Sequence, residues 1–302
     1  MRVEMLGNEE PSVAVVGAIH GDEPCGARAI ERFLSEGHTI ERPVKLIVAN
    51  EPALERGVRF VERDLNRSFP GDPDSEIAEV RLANALLDEI EGCLTLGFHS
   101  TVSTEDAFGT VADLDATKRA VFRALPIGAV ADFTGVVEGR SVNLPGFLNV
   151  EAGYQGSEDA AANAYDCLCA FLRVTGVLET DRDSRSEGVE NTNTNTDADV
   201  EIATDEITPS EAATTETIVY EVAETIAKEP GRSYRVLASN FERVAPGEAF
   251  AEIDGEALRA DEEFWPVLMS AEGHATLLGY EARRAGPIEI ETESVGDATE
   301  QS

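Results

Sequence analysis

The stretch Val13-Ala-Val-Val-Gly-Ala-Ile-His-Gly-Asp-Glu23 predicts a buried β-strand that runs directly into a polar loop. A short apolar run bounded by turn residues is typical of a strand inside a sheet. The pattern continues to about residue 178, with expected strands at 44–50, 93–98, 127–133 and 147–150 and expected helices at 27–34, 75–90 (capped by Ser75), 117–124 and 157–172. This alternation predicts an α/β domain with a mostly parallel or mixed sheet, whose active groups sit at the carboxyl ends of strands.

The composition excludes several classes of protein. The chain has 302 residues, 42% of them hydrophobic, with 24 Lys+Arg against 59 Asp+Glu and a net charge of -35. It is therefore not wholly disordered, and so acidic a body repels nucleic-acid phosphates. The longest apolar run is far shorter than the roughly 20 residues that a membrane span needs, and no secretory signal is visible. Four cysteines without CxxC spacing fit a reducing compartment. We expect a cytoplasmic protein without nucleic-acid or membrane partners.

The acidic residues are spread along the chain, and only three lysines stand against 21 arginines. Such a surface repels itself unless salt screens it, and at molar salt the Debye length falls to about 3 Å. This pattern favours a halophilic protein from a salt-rich cytoplasm, as in haloarchaea. The alternative is an acidic protein that is indifferent to salt.

The expected organisation has four parts. Residues 1–178 form the α/β domain, and 179–217, which are acidic and poor in large apolar residues, form a disordered linker or insert. Short apolar runs separated by Pro-Gly and Asp-Gly turns predict a small β-rich domain at 218–290. Residues 291–302 form an acidic tail.

Two histidines and a glutamate are candidate metal ligands. His20 and Glu23 lie three residues apart in the loop after the first strand, and His99 ends the apolar run 93–98. Two imidazoles and one carboxylate suit a catalytic zinc ion that keeps one position for water. A satisfied polar loop and a capped histidine are the simpler alternatives.

Four motifs in order identify a family resemblance. His-Gly-Asp-Glu at 20–23, Asp-Leu-Asn-Arg-Ser-Phe-Pro-Gly at 64–71, the histidine after a strand and Val-Glu-Ala-Gly at 150–153 together resemble the succinylglutamate desuccinylase/aspartoacylase family. The resemblance continues more weakly into the C-terminal region at 240–248. It implies a zinc-carboxypeptidase-like mixed sheet flanked by helices, with a small β-rich C-terminal domain, and a zinc-dependent deacylase with one zinc ion per chain.

The resemblance also implies roles for individual residues. His20, Glu23 and His99 match the zinc ligands. Glu151 matches the catalytic glutamate, and a carboxylate there could take a proton from the attacking water and pass it to the leaving amine. Arg59 matches the arginine that polarises the scissile carbonyl.

Four further residues match substrate-binding positions of the family. Asn66 and Arg67 match the pair that orients an amino-acid carboxylate, a task suited to a planar guanidinium. Arg140 resembles a second carboxylate-binding arginine, with an offset of one residue. Tyr280 resembles a substrate-facing tyrosine of the C-terminal domain.

One position departs from the family pattern. The family usually has Asp two residues before the third zinc ligand, and this chain has Gly97. A carboxylate that orients a ligating histidine typically contributes about 10- to 100-fold to metal affinity or activity. The departure makes efficient catalysis less certain than zinc binding.

The leading functional hypothesis is a zinc-dependent amidohydrolase that deacylates a small N-acyl amino acid. Arg59, Arg63, Arg67 and Arg140 cluster by sequence around the expected zinc site, which favours an acidic substrate such as succinylglutamate or acetylaspartate. The alternatives are a zinc carboxypeptidase-like hydrolase of another acyl or peptide substrate, and a non-catalytic zinc-binding protein. The sequence leaves the oligomeric state open.

Overall fold

The computed structural model describes residues 1–137, 140–179 and 216–289. Thirteen strands lie in this part of the chain: β1 (Arg2–Leu6), β2 (Val13–Gly17), β3 (Val44–Val48), β4 (Leu94–Thr101), β5 (Phe108–Val111), β6 (Ala129–Asp132), β7 (Phe147–Tyr154), β8 (Ile218–Ala227), β9 (Tyr234–Val236), β10 (Ala249–Ile253), β11 (Glu256–Arg259), β12 (Trp265–Val267) and β13 (Leu277–Pro287). The helices are α1 (Cys25–Glu36), α2 (Glu51–Arg56), α3 (Ala78–Ile90), α4 (Ala116–Ala124) and α5 (Glu158–Val174), with short 3₁₀ helices at Leu65–Arg67 and Ser141–Asn143.

Ten strands form one mixed sheet in the order β1-β3-β2-β4-β7-β5-β6-β8-β13-β12. β3, β2, β4 and β7 are parallel neighbours, whereas β1, β12 and β13 pair antiparallel. The expected mixed α/β sheet flanked by helices is therefore confirmed. The C-terminal strands β8, β13 and β12 extend this same sheet, and β11-β10-β9 form a separate three-stranded sheet.

The centre of the large sheet is buried on both faces. Along β2, Val13 and Val15 pack with α1 and α5, whereas Ala14 and Val16 pack with α3 on the opposite face. This double burial explains why the strand reads as one continuous apolar run rather than as an alternating pattern. Residues 97 and 99 of β4 and residues 147, 149 and 151 of β7 share the α3 face by alternation.

Several expected boundaries were wrong. α3 begins at Ala78, and the Ser75 hydroxyl does not cap it but accepts a hydrogen bond from Ile77 N in the preceding turn. β4 and β7 continue beyond their apolar runs, so His99 and Glu151 lie inside strands rather than at their ends. The extension of β7 arises because β5 pairs with it at the level of Glu151.

Other parts of the predicted organisation fall on residues outside the described ranges. Apart from its ends, the predicted linker 179–217 lies outside them, as does the tail 291–302. Among the described residues, none of the helices is both long and apolar enough to cross a bilayer.

All three lysines are withdrawn from the surface. Lys118 is 5% exposed and Lys228 is 9% exposed, and the side chain of Lys45 is 14% exposed. Each Nζ donates to main-chain carbonyl oxygens, as Lys228 does to Ala271 at 2.6 Å and His274 at 2.7 Å. The lysines therefore hold loops together rather than solvate the surface.

Candidate metal centre and active site

Three elements bring the expected ligands together. His20 follows β2, Glu23 lies just before α1, and His99 lies in β4, which is the neighbour of β2. The loop that carries His20 and Glu23 passes so close to α2 that a Cβ on Gly21 would lie 2.1 Å from the backbone of Ala53. Only glycine fits there, so the loop can turn both ligand side chains inward.

Glu23 lies between the two histidines. His20 Nδ1 is 2.8 Å from Glu23 Oε1, and His99 Nδ1 is 2.8 Å from Glu23 Oε2. All three side chains are buried, and one ligand atom from each lies within 4.8 Å of the others. Two imidazoles and one carboxylate converging in this way are a donor set that fits zinc.

The charges of this cluster are strongly coupled. Burial lowers the pKa of His20, but the charge of Glu23 and a hydrogen bond to Asp64 outweigh it and raise the pKa to about 9. Burial also lowers the pKa of His99, whereas contact with His20 holds the pKa of Glu23 well below its usual range despite burial. The two histidines and Glu23 therefore influence one another's protonation.

Asp64 and Arg59 surround the cluster. Asp64 Oδ1 lies 3.0 Å from His20 Nε2, and Arg59 donates to Asp64 Oδ2 at 3.1 Å and to Glu23 Oε1 at 3.0 Å. Asp64 also accepts from Asn66 N and so caps the 3₁₀ helix Leu65–Arg67. Asp64 belongs to the motif at 64–71, but no role was predicted for it from the sequence. Its short spacing to Asn66 was the available signal.

The expected substrate-binding residues line the same pocket as the metal ligands. Arg67 donates to the carbonyl of Asn66 at 3.0 Å, and Arg140 donates to the Tyr280 hydroxyl at 3.2 Å. Ser141 N donates to Asn66 Oδ1 at 2.8 Å, which connects the two 3₁₀ helices of the chain segments that carry Arg67 and Arg140. Within the described ranges, neither Arg67 nor Arg140 has a carboxylate within ion-pair distance. Burial and the charge of Arg140 lower the pKa of Arg67.

Glu151 faces the metal cluster from β7. Its Cα is the register partner of His99 on β4, and the residue is half-buried. Burial and the negative charge of Glu23 raise its pKa to about 8, against the opposing charges of His20 and Arg59. A carboxyl group with a raised pKa beside a metal-ligand set has the properties of a general acid–base residue.

All nine site residues expected from the sequence line one pocket of about 140 Å³. They are His20, Glu23, Arg59, Asn66, Arg67, His99, Arg140, Glu151 and Tyr280. Arg63, which was expected in the same cluster, is instead exposed and does not line the pocket. The pocket wall also includes Asn149 and His274, which the sequence analysis did not select.

Gly97 leaves no room for the carboxylate that the family usually has there. A Cβ on Gly97 would lie 2.5 Å from the Phe147 ring and 2.6 Å from Asn149 Oδ1. His99 Nε2 is buried and has no hydrogen-bond partner among the described residues. In this chain the carboxylate of Asp64 instead contacts the other histidine of the cluster, His20.

Solved structures of other proteins share this fold. The ectoine utilization protein EutE of Ruegeria pomeroyi, in its product-bound structure, has a TM-score of 0.69 at 17% identity, covering 93% of this chain and 88% of that one. Murine aminoacylase 3 has a TM-score of 0.65 at 18% identity, covering 93% and 98%. At these identities the likenesses show a shared fold and nothing further.

The sequence comparisons are more specific but shorter. Residues 9–119 match the model of the succinylglutamate desuccinylase/aspartoacylase catalytic domain. A probable aspartoacylase of Prochlorococcus marinus is 32% identical over 99 residues, which are 30% of this chain and 34% of the relative. Aspartoacylase of Xenopus tropicalis is 32% identical over 121 residues, 39% of this chain and 37% of the relative. Residues 9–119 thus resemble the catalytic domain of the succinylglutamate desuccinylase/aspartoacylase family, and the matches span about a third of these relatives' length.

Proposed function

We propose that this protein is a zinc-dependent amidohydrolase that removes the acyl group of a small N-acyl amino acid. One observation carries the proposal. The buried His20–Glu23–His99 cluster, the carboxyl group of Glu151 and two arginines that pair with no carboxylate in the described part of the chain open into one pocket. The activities for which relatives are named, aspartoacylase and N-acyl-aromatic-L-amino acid amidohydrolase, support this class of reaction.

His20, Glu23 and His99 would hold the zinc ion, which supplies Lewis-acid chemistry to an amide carbonyl and to water. Glu151 would take a proton from the attacking water and give it to the leaving amine. Arg59 would stabilise the developing negative charge on the carbonyl oxygen. Its two hydrogen bonds, to Asp64 and Glu23, keep its guanidinium group beside the metal ligands.

Asn66, Arg67, Arg140 and Tyr280 would bind the substrate's carboxylates. Burial and the positive charge of Arg140 lower the pKa of Arg67, and two guanidinium groups this close favour an anionic ligand between them. A substrate with two carboxylates, such as an N-acylated acidic amino acid, fits this arrangement best. The pocket volume of about 140 Å³ lies below the roughly 300–1,000 Å³ of common ligand pockets, which favours a small substrate over a peptide.

The test is an assay of the zinc-loaded protein, in molar KCl, on a panel of N-acyl amino acids and short peptides. We expect hydrolysis of N-acyl amino acids, with acidic ones preferred. Preference for peptides would favour the carboxypeptidase-like alternative. Absence of hydrolysis across the panel, with zinc bound, would favour a non-catalytic zinc-binding protein.

Metal analysis tests the ligand set separately. We expect one zinc ion per chain in the wild type and a clear loss in His99→Ala. His38→Ala is the matched control, because His38 packs on Phe33 and contacts Glu36 far from the cluster. Unchanged zinc content in His99→Ala would show that the ligand set is wrong.

We also propose that the protein works in a salt-rich cytoplasm. The net charge of -35 supports this, because screening removes the repulsion between surface carboxylates. Thermal melts should show a melting temperature that rises with KCl concentration, and a salt-independent value would contradict the proposal. Limited proteolysis, expected to cut first within 179–217, tests the proposed organisation into 1–178 and 218–290.

A further inference from the structure

Asn149 carries a buried polar group that the proposed chemistry does not use. Its side chain is 0% exposed and lines the pocket, and Nδ2 has no partner among the described residues. Its Oδ1 accepts a long hydrogen bond, 3.4 Å, from the Ser141 hydroxyl. Exchanging the two amide atoms would only move the unpartnered group from nitrogen to oxygen. A buried amide with an unmet hydrogen bond is costly, which indicates that a bound ligand satisfies it.

The position of Asn149 places it at the floor of the pocket. Asn149 lies two residues before Glu151 on β7, so both side chains share one face of the sheet. Their Cα atoms are separated by roughly 6–7 Å along the strand, with Asn149 nearer its N-terminal end. Its register partner on β4 is Gly97, and any side chain at 97 would overlap the Asn149 amide. The glycine that replaces the family's aspartate therefore makes room for this amide.

The neighbours of Asn149 indicate whether it would contact the acyl group or the amino-acid part of a substrate. Ser141, its hydrogen-bond partner, follows Arg140 directly and is bonded through its backbone to Asn66. These are the residues expected to bind the carboxylates of the amino-acid half. The nearby pocket wall includes the apolar side chains of Phe133 and Val142. A lone amide beside an apolar wall discriminates strongly between polar and apolar groups.

We propose that Asn149 determines specificity for the amino-acid side chain, by donating a hydrogen bond from Nδ2 to an oxygen of that side chain. The ligand class is an amino acid with a short side chain that ends in a carboxylate or carboxamide. This inference rests on the proposed function, because it assigns to Asn149 a contact with the substrate in the same pocket.

The experiment compares two substrates in zinc-loaded wild type and Asn149→Leu. Leucine has a similar size and shape but cannot form the hydrogen bond. On N-acetyl-L-aspartate, kcat/KM should fall about 10- to 100-fold, mainly through KM. On N-acetyl-L-2-aminobutyrate, whose side chain has no oxygen, kcat/KM should stay the same or rise. An equal loss on both substrates would overturn the proposal.

Asn163→Leu is the matched control. Asn163 donates to the carbonyl of Ala152 from α5 and does not line the pocket, so its loss should alter stability without changing the preference between the two substrates. A change of preference in this control equal to that in Asn149→Leu would also overturn the proposal.

Binding of the amino acids alone separates this inference from the proposed function. Calorimetry with L-aspartate and L-2-aminobutyrate needs no turnover. Tighter binding of L-aspartate that disappears in Asn149→Leu supports the role of Asn149 even if no substrate is hydrolysed. Equal affinity of the wild type for both amino acids, or binding of neither, would overturn it.

Discussion

The two ends of the pocket differ in how far their polar groups are already paired. At the metal end, Glu23, Asp64, Arg59 and His20 form a closed network of contacts between 2.8 and 3.1 Å. At the other end, the hydrogen bonds of the Arg67 and Arg140 guanidinium groups to the described residues go to neutral oxygens. At the closed end, apart from the metal and the role proposed for Arg59, the polar groups mainly bind one another, whereas the open end has charges and donors available for a ligand.

This difference separates two kinds of contribution. Residues of the closed end should act on the metal and on the chemical step. Residues of the open end should act on which substrate is bound and how tightly. The four predictions below, in order of decreasing expected effect, test whether the two ends can be separated in this way.

Replacing Glu151 by glutamine should have the largest effect. The amide cannot accept a proton from water, so kcat should fall by about 10²- to 10⁴-fold with zinc content unchanged. Steady-state kinetics with metal analysis measures both quantities. Glu158→Gln is the control, since this carboxylate lies on the surface at the start of α5 and pairs with Arg28. Near-normal kcat in Glu151→Gln would mean that another group is the base.

Arg140→Ala should affect recognition rather than the chemical step. On a substrate with two carboxylates, loss of one charge-assisted contact should reduce kcat/KM by about 10- to 150-fold, and a monoanionic analogue should lose much less. Arg63→Ala is the control because Arg63 is exposed and lies outside the pocket. Equal losses on both substrates would contradict the separation of the two ends.

Asp64→Asn should weaken zinc binding about 10- to 100-fold, because the His20 imidazole loses the carboxylate that orients it. Competition with a chelator gives the affinity of wild type and variant. Asp74→Asn, on an exposed turn, should leave it unchanged. If Asp64→Asn keeps the wild-type zinc affinity but changes substrate preference, Asp64 belongs functionally to the open end.

His274 should give the smallest effect, seen in the dependence of stability on pH. His274 is exposed at the pocket, but loss of hydration around its ring and the charges of Arg59, Arg67 and Arg140 lower its pKa to about 4, below the ordinary value of 6.5. The unfolded chain therefore binds more protons between pH 6.5 and pH 4, and stability is lost as the pH falls through this window. His274→Asn should lose less melting temperature than wild type between pH 7 and pH 5. Parallel curves would show that the arginines do not act on His274.

The sequence predicted the closed end better than the open end, for physical reasons. The ligands and Glu151 stand next to apolar runs that must become neighbouring strands, so their meeting follows from the parallel sheet. The role of Asn149 could not be predicted, because one asparagine inside an apolar run gives no sign of its neighbours until β4 and β7 are in register. The membership of β8 and β13 in the large sheet could not be predicted either. A long stretch of sequence precedes β8, and it gives no sign of which strand β8 pairs with.

The withdrawn lysines have a consequence for chemical labelling. Reagents that acylate primary amines need an accessible, unpaired amine, and the Nζ atoms of Lys118 and Lys228 instead hydrogen-bond to main-chain carbonyls inside the protein. Modification therefore has to wait until the surrounding loop opens locally. Because Lys228 holds the main chain at Ala271 and His274, its rate of acylation would report how often this rim of the pocket opens.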